Sequence, residues 1–95
     1  MNATMIEMLK NKGFQLTDDG SEKFLTATLS KEEDVAWYGH QISSLKIDVH
    51  VLQDGICKVV FFKDHRILKS RCYSTSGKRT FNAIAETAAC AGFSM

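Results

Sequence analysis

From Leu45 to Leu52 the chain alternates almost without a break: Leu45, Ile47, Val49 and Val51 are apolar, and Lys46, Asp48 and His50 between them are polar. A period of two belongs to an extended strand with one face buried and one wet, because successive side chains of a strand point to opposite sides. Asp54-Gly55 follows, a dipeptide suited to two-residue hairpin turns, whose central positions need positive φ. The β-rich run Ile56 to Lys63 comes next, then Asp64-His65 as a second turn, then Arg66 to Tyr73 as a third strand. A meander is the framework into which the rest of the chain has to fit.

The flanks supply helices. Thr4 with Glu7 has the capping-box spacing, Met5, Met8 and Leu9 follow helical periodicity, and Gly13 stands where a helix would end, so a helix is predicted over about Thr4 to Lys12. Phe14 to Thr17 and Glu22 to Leu29 flank the turn-forming cluster Asp18-Asp19-Gly20-Ser21 and read as a hairpin. Lys31 to Tyr38 is open between a helical turn, capped by Ser30 and Glu33, and a strand favoured by Val35, Trp37 and Tyr38. After Gly77 a helix is predicted over Lys78 to Ala91, with Phe81, Ile84, Ala85 and Ala88 on one stripe and Gly92 as its stop. The expected fold is α+β and a single domain over residues 1–95: an antiparallel β-meander of three or more strands with a helix at each end, the C-terminal helix packed on one sheet face.

Composition narrows the setting. A hydrophobic fraction of 44% with 24% charged residues is that of a folding chain, not a disordered one. No apolar run is long enough to span a bilayer, and Met1 to Lys12 lack the pattern of a signal peptide, so no membrane partner and a cytoplasmic location are expected. Cys57, Cys72 and Cys90 show no paired metal-site spacing, which suggests reduced thiols and no metal or other cofactor.

The net charge of +1 conceals an asymmetry about Gly55. Residues 1–55 hold five Lys against nine Asp and Glu, while residues 56–95 hold seven Lys and Arg against Asp64 and Glu86. Such a division points either to a nucleic-acid or acidic-protein partner, or to two halves that attract one another within the fold.

With two-residue turns at both hairpins, Val49 falls opposite Val60 and Lys69, Lys58 falls between Val51 and Arg71, and Tyr73 lies beside Ile56. Lys58, Lys69, Arg71 and Tyr73 then share a sheet face, with Lys78 and Arg79 at a helix start. Such a surface holds phosphates, with Tyr73 or Phe62 stacking on a base. Its bland counterpart is a solvated face whose Lys and Arg stems cover apolar sheet atoms. Residues 74–79 offer free helix N-terminal amides to an anion, or simply cap the helix with Ser74 to Ser76. The spacing is not that of a nucleotide-binding P-loop.

The order of a helix, three antiparallel strands and a second helix that opens with Gly77-Lys78-Arg79 and carries an Ala-rich face resembles the double-stranded-RNA-binding domain over roughly residues 45–91. That likeness implies binding of double-stranded RNA. The proline-containing loop of that family has no counterpart in a chain without proline.

Catalysis has little to build on. His40, His50 and His65 are scattered, no carboxylate pair recommends itself, and only His50 is placed to approach Cys57 diagonally. The expected function is therefore non-enzymatic binding, with no catalytic residue, through Lys58, Lys69, Arg71, Tyr73, Lys78 and Arg79, to nucleic acid or a nucleic-acid-associated protein complex. The alternative is a protein–protein inhibitor or adaptor, for which Trp37, Tyr38 and His40 would form the contact edge. Its composition is similar to that of phage or mobile-element proteins that block a host defence complex. An exposed sheet face or edge would also allow a homodimer.

Overall fold

A computed structural model describes residues 2–18, 20, 25–37, 41–53, 55–74 and 77–93. Helix α1 (Asn2–Asn11) leads into strands β1 (Gln15–Asp18), β2 (Leu25–Trp37), β3 (Gln41–Leu52), β4 (Cys57–Lys63) and β5 (Arg66–Tyr73), and helix α2 (Lys78–Ala91) follows. The strands form one antiparallel sheet in the order β1-β2-β3-β4-β5, so each pairs only with its neighbours in sequence. The sheet between the helices thus has two strands more than the RNA-binding pattern holds.

Residues 31–37 are strand, not a helical turn, because they pair one for one with 41–47 of β3. Tyr38 and His40 lie outside the described residues, as do Asp19 and Ser21 of the turn cluster between β1 and β2. Pairing with β1 reaches no further than Ser30, and pairing with β4 no further than Leu45. The segments 34–37 and 41–44 therefore leave the sheet as a two-stranded ribbon. Helix α1 begins before Thr4, so the Thr4–Glu7 pair sits within its first turns and not at its cap.

One face of the sheet carries the core. Ala27 and Leu29 of β2, Leu45, Ile47, Val49 and Val51 of β3, and Cys57, Val59 and Phe61 of β4 lie side by side and are buried under Met5, Leu9, Phe14, Phe81, Ile84, Ala88 and Phe93. Each fully buried aliphatic or aromatic side chain is worth about 1.5–3 kcal/mol of transfer free energy. Both helices cover this face, and they touch each other. Helix α2 ends at Gly92, whose positive φ of 102° lets Gly92 and Phe93 donate backbone N–H groups back to Ala89 and Ala88.

The two hairpins differ from the expected registers, each by one residue. The first loop holds three residues, 53–55: the Leu52 N–H donates to the Ile56 carbonyl at 2.9 Å and the Gly55 N–H to the Leu52 carbonyl at 3.1 Å, with Gly55 left-handed at φ 88°. Val49 thus faces Val59, not Val60. This register unites the apolar rows of β3 and β4 on one face, which a two-residue turn would have split between both. The second loop is the expected two-residue turn, with Asp64 and His65 at φ 52° and 68° and Lys63 opposite Arg66. Past it, Ile67 pairs with Phe62 but Lys69 pairs with Phe61, leaving Leu68 as the extra residue of a bulge.

Candidate binding surface

These slips re-sort the candidate residues. Lys69, Arg71 and Tyr73 pair with Phe61, Val59 and Cys57, so they stand on the helix side of the sheet. Lys58 pairs with His50 and Cys72 and stands on the other face, so it leaves the cluster. Two residues not singled out from the sequence take its place. Lys63 and Arg66 face each other across the turn, on the helix side with Phe61. The bulge spends one residue between Arg66 and Lys69, and this brings Arg66 onto the face of Lys69 and Arg71. Only a one-residue irregularity separates these arrangements, and nothing in the local sequence marks it.

The helices leave β5 uncovered up to Cys72, and Arg66, Lys69 and Arg71 are all exposed, as are Lys78 and Arg79 at the start of α2. Lys69 and Arg71 are about 6.6 Å apart along the strand, at 3.3 Å per residue. Neither has an acidic partner among the described residues. Asp64 is engaged elsewhere: its Oδ1 accepts the Ser44 N–H at 3.0 Å, and its own N–H donates to the Ser44 carbonyl at 2.8 Å. Residues Glu32 to Asp34 lie on β2, three strand spacings or about 14 Å from β5, which exceeds the screening length at physiological salt. The acidic run therefore does not neutralise the basic strand.

Tyr73 is half-buried and packs against the core cluster, and Phe62 is half-buried with the Lys46 Nζ 5.5 Å from its ring centre. Neither offers a free ring for base stacking. The N-cap of α2 is Gly77, without a side-chain cap bond, in place of the Ser74 to Ser76 capping expected.

The open face is mixed in charge. Thr28, His50, Lys58 and Cys72 form one row across β2 to β5, and Ser30, Asp48, Val60 and Ser70 form the next. Asp48 accepts a hydrogen bond from the Ser30 hydroxyl at 2.6 Å and pairs with Lys46 at 3.6 Å. Thr28 Oγ1 and His50 Nδ1 are 3.0 Å apart beside a shallow groove of about 510 Å³ that Asp18 and Lys58 also line.

His50 does not approach Cys57 as a catalytic partner, because the two lie on opposite faces. Nor does Cys57 face Cys72, since their registry partners are Tyr73 and Lys58. Cys57 is buried, and burial, with a lesser contribution from the charge of Cys72, pushes its thiol up to about 12. Cys72 and Cys90 are exposed and hold no place in the core. Among the described residues no group of three His, Cys, Asp or Glu is placed to hold a metal ion, and no helix is long and apolar enough to cross a membrane. Comparison with protein-family models, curated proteins and solved structures gives no match for this chain.

Proposed function

We propose that this chain is a non-enzymatic binding protein that holds a nucleic acid by its phosphates along the helix side of β5, with Arg66, Lys69 and Arg71 as the principal contacts and Lys63, Lys78 and Arg79 flanking them. The observation that carries this reading is the exposed line of cations on a strand without acids, out of screening range of the acidic run on β2. Because Tyr73 and Phe62 are engaged in the fold, binding is electrostatic and largely indifferent to base sequence.

The test is fluorescence anisotropy with labelled single- and double-stranded oligonucleotides in rising salt. The logarithm of affinity should fall by roughly 0.7–0.9 per log unit of salt for each phosphate contacted, and a Lys69→Glu, Arg71→Glu variant should lose binding while keeping its melting temperature. A flat salt response, or wild-type affinity in the variant, rejects the reading. The second reading, a protein–protein inhibitor or adaptor, is favoured by a different feature, the unpaired outer edge of β5.

A further inference from the structure

β5 ends the sheet at eight residues, so the backbone N–H and C=O groups on its outer side have no strand to pair with among the described residues. The opposite edge, β1, is only four residues long. β5 also carries the two most exposed large apolar side chains among the described residues, Ile67 at 68% and Leu68 at 55%. Such an edge is a template for another strand, and proteins ordinarily blunt it with charge or a bulge. Both devices are present here, but the charge has one sign: Arg66, Lys69 and Arg71, with no acid on the strand.

That single sign selects the occupant. In an antiparallel pairing of two copies of β5, three cations of each strand would stand among three of the other, and like charges opposite each other on a sheet repel. A strand with acidic residues at alternate positions meets attraction at the same places. Its intervening side chains fall on the open face, where Ile67 provides an apolar contact. The edge is thus closed to copies of itself and open to a strand of opposite charge.

We propose that the outer edge of β5 takes up an extended acidic segment of another protein as a sixth strand, alternate carboxylates lying over Lys69 and Arg71 and an apolar residue beside Ile67. This does not rest on the nucleic-acid reading: Lys69 and Arg71 would serve either ligand, but strand addition also needs the backbone edge and Ile67, which phosphate contact does not. Strand addition of this kind draws affinity from main-chain hydrogen bonds and specificity from alternate side chains.

The probe is a labelled ten-residue peptide of alternating Glu and Val, compared with its Lys and Val counterpart. The acidic peptide should bind at least tenfold more tightly. Binding should slow hydrogen exchange of β5 amides, whereas an oligonucleotide should leave them unchanged. Ile67→Ser with Leu68→Ser, a neutral change at two exposed positions, should weaken the peptide at least tenfold and spare oligonucleotide binding. Equal affinity for the two peptides, or an acidic peptide that binds without protecting β5, overturns the proposal. So does protection of β5 at rising concentration of the protein alone, which would make a second copy the occupant. Oligonucleotide binding without peptide binding sinks this proposal and leaves the nucleic-acid reading standing. The reverse result sinks only the latter.

Discussion

Lys58 and Arg71 are diagonal neighbours on adjacent strands, yet they stand on opposite faces of the sheet, Lys58 opposite Cys72 and Arg71 opposite Val59. Charge reversal should separate them functionally. Arg71→Glu is expected to weaken oligonucleotide binding and lower the salt slope by about one, the share of one phosphate contact, while Lys58→Glu leaves both nearly unchanged. Both positions are exposed, so each variant should stay within about 0.5 kcal/mol of the parent in stability. Anisotropy titrations at three salt concentrations decide the matter, and equal losses at the two positions would mean that both faces take part.

The direct pairing of Ile47 with Phe61 in the core is open to a double-mutant cycle. Ile47→Val alone should cost about 0.5–1.5 kcal/mol. Combined with Phe61→Leu, the two losses should fail to add by about 0.5 kcal/mol or more, because the side chains touch. Urea denaturation measures all four corners. Additivity within about 0.3 kcal/mol would restore the two-residue turn, which puts these side chains on opposite faces.

Cys57 links stability to alkaline pH. Its thiol ionises near 9 in an ordinary setting but only at about 12 in the fold. Above the ordinary value the unfolded chain loses this proton while the folded chain keeps it, so the contribution of Cys57 is full below about pH 9 and is lost as pH rises toward 12. The expected decline is at most about 1.4 kcal/mol per pH unit in that window. A Cys57→Ala variant, compared with its parent at pH 8 and pH 10.5, should show the shallower decline. Alkylation of the native protein should modify Cys72 and Cys90 well before Cys57.

His65 holds a left-handed conformation at φ 68° in the turn between β4 and β5. Left-handed backbone costs a residue with a Cβ about 1–2 kcal/mol, and part of that is returned by glycine after its greater freedom in the unfolded chain is counted. His65→Gly should therefore stabilise the protein by about 0.5–1 kcal/mol, a rise of several degrees in Tm. Asp64 shares the conformation, but its carboxylate accepts the Ser44 N–H, so Asp64→Gly should bring no such gain.

Where one periodicity dominated, the sequence was legible: α2 occupies Lys78–Ala91 and stops at Gly92 as expected, and β5 runs from Arg66 to Tyr73. What could not be read was parity. β4 contains Val59-Val60 and Phe61-Phe62, so either neighbour of each doublet can meet the apolar row of β3, and only the fit under both helices chooses between them. Asp-Gly serves a three-residue loop as well as a two-residue one, since both place Gly55 at positive φ. The candidate surface inherited that ambiguity: Lys69 and Arg71 kept a common face, Lys58 was lost from it, and Arg66 was gained through the bulge at Leu68.

Because every strand pairs only with the next one in sequence, the sheet assembles through four short closures and no long crossover. Loop-closure entropy is then spent in small steps, a topology associated with faster folding than sheets built from distant segments. The contact between α1 and α2 is the exception, since it joins opposite ends of the chain. Substitutions at the buried residues of those helices, such as Met5 or Ile84, are therefore expected to speed unfolding more than they slow folding, whereas substitutions between β3 and β4 do the reverse.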